Sequence, residues 1–300
     1  MFRKSSIIVS LLLLLIFLFS SPVEATPKRI ISLSPVGTEI LFELGQGDNI
    51  AGVTEFCDYP AEALSKPKIG GFSGVNFEAI ASSGADFVVI SDLHLQYEGD
   101  LKKLGVAYAV VRQNSVEDIC ASITELGRLC GAEAEAARVV GGMKEEIARI
   151  SSALSGLPPR SVLLCISREL GEPRISTFYA AGKNTFYDEL ITLAGGVNAL
   201  TGTSAAYPRI SAEGLVSLDP EVVIDLVGDS AYYHSPDNSD SEELFDSGRL
   251  RGQWLSGPKV RAVRDGRVSV LRGTVYLRPG PRITEILKAF AAAVHPEADL

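Results

Sequence analysis

The sequence predicts an α/β protein of two similar lobes with parallel-type sheets, joined by one long backbone helix. Three observations carry that expectation. Short apolar runs alternate with amphipathic stretches, the order that builds parallel sheets. A pattern in Phe72–Ile90 also returns in Tyr207–Asp225: Phe72 matches Tyr207, Val75 Ile210, Glu78 Glu213, Ile80 Leu215, Asp86 Glu221 and Val88 Val223, each pair 135 positions apart. Solenoid repeats run to only ~20–50 residues, so the period marks two domain-sized copies. Between them, Ala132, Ala136, Val139, Met143, Ile147, Ile150 and Leu154 form a single stripe at helical spacing.

The N-terminus is a leader. Arg3 and Lys4 precede an apolar run, Ile7–Phe19, broken only by Ser10, and Val23-Glu24-Ala25 supplies the small residues of a cleavage site. The run is short of the ~20 residues that span a bilayer. Cleavage after Ala25 is expected, releasing a periplasmic product that starts at Thr26. It removes Arg3, Lys4 and Glu24 and takes the formal net charge from −9 to −10. So acidic a product suits neither nucleic acid nor an anionic membrane surface; separately, the chain is expected as a monomer. The lobes are drawn at 26–130 and 157–300, with the linking helix at 131–156.

The first lobe opens on a strand at Arg29–Ser32. Ser34-Pro35 reads as a turn and Thr38 as the cap of a helix carrying Ile40, Leu41 and Leu44. A strand follows at Ile50–Val53, then turn-rich stretches at Phe56–Pro60 and Ile69–Gly74. Asn76 is placed as the cap of a helix with Glu78 in its first turn, and Phe87–Ile90 is a fully apolar strand. Leu101–Leu104 is expected helical, Ala107–Val111 a strand, and Ser115 the cap of Val116–Cys130.

Gly141-Gly142 is the weak point of the linking helix, and Gly156 with Pro158-Pro159 ends it. The second lobe restarts with a strand at Val162–Ile166. A helix at Thr185–Leu193, a polar segment at Asp229–Ser247, a strand at Val268–Leu271 and a helix at Thr284–Val294 complete it. Trp254 falls in a C-terminal loop. Cys57, Cys120, Cys130 and Cys165 form no C-x-x-C motif and are expected mostly as free, buried thiols.

No P-loop, G-x-S-x-G, H-E-x-x-H or EF-hand pattern occurs, and His94, His234 and His295 lie far apart, so neither catalysis nor a resident metal has positive support. Aromatics in turn-rich segments carry more weight. Phe56, Tyr59, Phe72, Tyr179 and Tyr207 sit in such segments, several following a strand's carboxyl end, the ligand-binding edge of open α/β sheets, and they suit a large ring-bearing ligand. Glu78 and Glu213 each open a helix, which their charge stabilises by ~0.3–1 kcal/mol. Matched on two lobes, they also offer two acidic knobs to a partner with paired arginine pockets.

Four stretches carry a family resemblance: Arg29-Ile-Ile-Ser-Leu-Ser-Pro-Val-Gly-Thr-Glu-Ile-Leu41, Cys57-Asp-Tyr-Pro60, Gly71-Phe-Ser-Gly-Val-Asn-Phe-Glu78 and Tyr207-Pro-Arg-Ile-Ser-Ala-Glu213. Over nearly all of Lys28–Phe290 the chain resembles the periplasmic substrate-binding proteins of ABC importers for iron chelates and vitamin B12, the helix-linked class. The local similarity lies with the vitamin B12 binders. The resemblance implies two lobes bridged by a helix, no resident cofactor, and a small-molecule ligand, a corrinoid or an iron chelate, in the cleft. It also implies an ABC permease dimer with ATPase subunits as partner, docked through Glu78 and Glu213. The ligand contacts it implies are Phe56, Phe72, Tyr179 and Tyr207, with Pro35, Tyr59, His94 and Arg278 beside them. Ser91 and Thr274 stand where an aromatic and an acidic contact occur in the vitamin B12 binders. Arg168, Arg174, Arg209, Arg272 and Arg278 are the cations that could hold an anionic siderophore, and a tyrosine or His94 could ligate haem iron. A ligand-sensing module that signals to a receptor is the alternative role.

Overall fold

A computed structural model describes residues 26–71, 74–228 and 245–300. The expected leader at 1–25, Phe72, His234 and most of the polar 229–247 segment lie outside the described residues.

In the first lobe, β1 (Ile30–Ser32) leads into α1 (Pro35–Glu43). The helix starts three residues before the expected Thr38. Ser34 is the cap, its hydroxyl accepting from the Gly37 N–H at 3.1 Å. Pro35 takes the first helical position, where its missing N–H is no loss and its φ is already helical. Next come β2 (Ile50–Thr54), β3 (Lys68–Gly71), β4 (Gly74–Val75), α2 (Phe77–Ser83), β5 (Phe87–Ser91), α3 (Glu98–Leu104), β6 (Ala107–Val111) and α4 (Val116–Cys130). The sheet runs β4-β3-β2-β1-β5-β6, parallel throughout except for β4. The stretch 69–74, expected as a turn, instead contributes to two antiparallel edge strands. Their glycines leave no side-chain alternation to read. A Cβ on Gly70 would stand only 2.8 Å from the Gly74 carbonyl oxygen.

The linking helix α5 (Glu133–Ala153) has 21 residues, roughly 32 Å of rise. It runs unbroken through Gly141-Gly142, so the expected weak point is not a kink. The second lobe comprises β7 (Arg160–Arg168), β8 (Thr177–Ala180), α6 (Phe186–Leu193), β9 (Gly196–Asn198), β10 (Arg209–Ser211), α7 (Ala212–Leu218), β11 (Val222–Val227), α8 (Ser247–Leu255), α9 (Arg261–Arg264), β12 (Val268–Arg272) and α10 (Ile283–Val294). Its sheet runs β10-β8-β7-β11-β12, with β9 also on β7 and β8 antiparallel to both its neighbours. Two expectations fail here. Tyr179 stands on β8 rather than in a turn. Trp254 lies in α8, buried, its ring edge-on to Phe178 at 5.3 Å.

The 135-residue repeat is structural. Helices α2 and α7 have seven residues each, and Asn76 and Ser211 cap them by accepting from Ala79 and Gly214 at 2.9 and 3.2 Å. Both helices end on a left-handed residue, Gly84 (φ +67°) and Asp219 (φ +39°). Caps, glutamates and terminators are all 135 positions apart. One hydrophobic cluster runs from Ile30 and Val89 of the first sheet through Met143 and Ile150 of α5 to Leu164, Ile286 and Phe290 of the second lobe. The four cysteines are free and buried.

Candidate ligand-binding cleft

The carboxyl ends of the first sheet's central strands bound one cavity. Leu33 follows β1, Thr54 ends β2, and Gly70, Gly71, Gly74 and Val75 come from the β3–β4 edge. Leu93, His94, Gln96 and Tyr97 sit on the 3-10 turn after β5. A second cavity lies between the lobes. Gln113 and Asn114, after β6, face Asn184–Tyr187 at the start of α6, with Ala206, Tyr207, Leu277 and Pro279. Of the expected contacts, His94 lines the first cavity, Tyr207 the second, and Arg278 sits between two residues of the second. Pro35, Phe56, Tyr59, Ser91, Tyr179 and Thr274 are not among the lining residues. Even so, Tyr59, Tyr179 and Tyr207 are 40 %, 47 % and 46 % exposed, well above a core tyrosine.

His94 is half-buried, and burial lowers its pKa. Its Nδ1 lies 2.9 Å from the Ser91 hydroxyl and 3.4 Å from the Ser91 backbone N–H. A backbone N–H can only donate, so toward it Nδ1 acts as an acceptor, while the Ser91 hydroxyl can serve either tautomer. Among the described residues, no three or more His, Cys, Asp or Glu side chains are grouped to hold a metal ion.

Two of the five cations expected to grip an anionic chelate are held by carboxylates of the protein itself. Arg168 is buried inside the second lobe. It donates to Asp225 at 2.9 Å and Gln253 at 2.6 Å, and Trp254 donates to the same carboxylate at 2.9 Å. Arg174, Arg209 and Arg272 are exposed, and Arg209 donates to the Thr177 hydroxyl at 3.1 Å. Arg278, only 8 % exposed, forms a two-pronged pair across the cleft with Asp58 of the first lobe, one prong at 3.1 Å.

A second cross-lobe pair lies beside it. Arg282 donates to Glu39 at 2.6 and 3.0 Å, and its guanidinium stands 3.6 Å from the centre of the Tyr59 ring. Glu39 is 2 % exposed. Burial raises its pKa, against the lowering effect of Arg282. A third strut joins Glu189 of α6 to the first N–H of α4, at Val116, over 2.9 Å. Sequence reasoning missed Asp58, Glu39, Arg282, Gln113 and Asn114. Asp58 lay inside a quoted motif, where only its aromatic neighbours were weighed.

Glu78 and Glu213 are both exposed in the first turns of α2 and α7. Backbone N–H donation and the Ser211 hydroxyl lower the pKa of Glu213, which keeps it ionised.

Residues 30–246 match the family model described as periplasmic binding protein. The chain belongs to that family. It is 27 % identical over 283 residues to an ABC transporter substrate-binding lipoprotein of Bacillus subtilis, YvrC, described as uncharacterized, covering 92 % of this chain and 82 % of that one. It is 28 % identical over 265 residues to the vitamin B12-binding protein of Vibrio parahaemolyticus, covering 88 % and 86 %. A periplasmic heme binding protein of Pseudomonas aeruginosa superposes with a TM-score of 0.72 at 25 % identity, covering 91 % and 94 %. This periplasmic binding protein is thus a substrate-binding component of ABC-importer type rather than an enzyme, and it works on the outer side of the cytoplasmic membrane.

Proposed function

We propose that this binding protein captures a corrinoid of the vitamin B12 type between its lobes and delivers it to an ABC permease. The observation that carries the reading is a pair of neutralised cross-lobe arginines beside an interlobe cavity lined by Tyr207. Arg278 and Arg282 are matched by Asp58 and Glu39, while Tyr207, 46 % exposed, lines the interlobe cavity. A bulky ligand of little net charge fits such a site better than a polyanionic chelate. The vitamin B12-binding relative, aligned along almost the whole chain, supports the same choice.

Haem is the second reading, favoured by the likeness to the heme binding protein. Against it stands the Arg278 fork already filled by Asp58, since haem carries two carboxylates. Thermal unfolding with cyanocobalamin, hemin and a ferric tris-catecholate separates the readings. Cyanocobalamin at 100 times its Kd adds about 2.7 kcal/mol. Stabilisation by hemin or the ferric chelate alone would reject the corrinoid. Changing Phe72 and Tyr207 together to Ala weakens cyanocobalamin binding at least about tenfold, ~1.4 kcal/mol. Delivery runs through Glu78 and Glu213, one to each permease half, and the mature chain starts at Thr26 in envelope fractions, a point intact-mass measurement checks.

A further inference from the structure

The geometry points to Asp58 as the residue that sets the charge class of ligand the cleft accepts, by cancelling Arg278. This rests on the reading of the interlobe space as the ligand site. Arg278 follows the 3-10 turn after β12, and its chain neighbours Leu277 and Pro279 both line the interlobe cavity. Its guanidinium is the kind of planar, permanently charged fork that grips carboxylates and catecholates. Here the fork is filled by both oxygens of Asp58. The two carboxylates of the cross-lobe cluster differ in exposure. The Glu39 side chain is 2 % exposed and the Asp58 side chain 36 %. Asp58 is therefore the solvent-reachable acid of the two, and its removal leaves no buried carboxylate stranded. With Arg282 held by Glu39 and stacked on Tyr59, the four charges sum to zero. Cancelling Asp58 alone leaves one positive charge beside the cavity.

Gain of function is the direct consequence. Asp58→Asn keeps the shape and a hydrogen-bond acceptor while releasing the charge of Arg278. Its affinity for a ferric tris-catecholate of net charge −3 rises at least about tenfold over the unaltered protein, the rise shrinks in high salt, and Arg278→Gln in the same chain abolishes it. Arg278→Gln alone moves selection the other way, so that aquocobalamin (+1) gains severalfold over neutral cyanocobalamin. Titration calorimetry on folded protein reads all of these. If Asp58→Asn folds and its affinity for the ferric chelate does not rise, the assignment is overturned while the corrinoid reading stands. If the unaltered protein binds no corrinoid, that reading fails, and Asp58 is still judged by the ferric-chelate comparison. Should Asp58→Asn not fold, an unchanged aquocobalamin-to-cyanocobalamin ratio in Arg278→Gln overturns the assignment by itself.

Discussion

Arg282 serves two groups of the opposite lobe at once, pairing with the buried Glu39 and capping the Tyr59 ring. Removing one partner of a buried pair leaves the other charge without compensation, so Arg282→Ala is expected to lower stability by about 3 kcal/mol near pH 8. The pH dependence has a definite sign. Burial already raises the Glu39 pKa above its ordinary value, so the native state takes up this proton at higher pH than the unfolded chain does. Stability from this group therefore increases as pH falls toward the ordinary carboxylate range and declines as pH rises. Loss of Arg282 removes the main lowering influences and pushes the folded pKa further up. The penalty in Arg282→Ala should thus be smaller at pH 5 than at pH 8, and urea unfolding at both values checks it. An equal penalty at both pH values would mean that Glu39 stays ionised without its partner.

Helix α5 shows how an element can be legible in outline and misread in detail. The stripe from Ala136 to Ile150 gave its face, and Ala136, Val139, Met143 and Ile150 are buried as the spacing implies. Gly141 and Gly142 are a different matter: a Cβ on either would meet nothing within 4 Å. Packing does not require them, so changing both to Ala should stabilise by up to ~1 kcal/mol each, raising Tm by about 2–4 °C per kcal/mol at this size. Differential scanning calorimetry decides it, and a lower Tm would show that the glycines relieve strain. Elsewhere, elements with strong local patterns were readable. The all-buried β5 and β11 and the capped α4 are of this kind. The short strands β3, β4, β8, β9 and β10 were not, because two to four residues are too few for a period to emerge. The site divides the same way. Tyr207 and His94 announce themselves by type and place, whereas Asp58–Arg278 and Glu39–Arg282 join residues 220 and 243 positions apart, a distance at which no local pattern forms.

At the scale of the whole molecule, both lobes share one hydrophobic cluster with α5, and the three cross-lobe struts at Glu39, Asp58 and Glu189 add to it. Bending needs an identifiable defect, and the linking helix is continuous. Scattering should therefore show little compaction on ligand binding, with a radius of gyration that stays near ~19 Å for some 275 residues. A rigid frame has a consequence for delivery. Glu78 and Glu213 occupy equivalent places in the two copies of the repeat, so their separation is fixed by the fold, and a two-fold partner can engage both together. Each contact would be a carboxylate–arginine pair, and truncating one side of such a pair in an interface costs ~2–5 kcal/mol. Glu78→Gln with Glu213→Gln should leave cyanocobalamin affinity unchanged, since neither residue lines a cavity. Each single change should weaken coupling to the permease, and the double change should abolish ligand-stimulated ATP hydrolysis and uptake in reconstituted vesicles. Normal uptake by the double variant would reduce both glutamates to stabilisers of their own helix ends and leave docking to other surfaces.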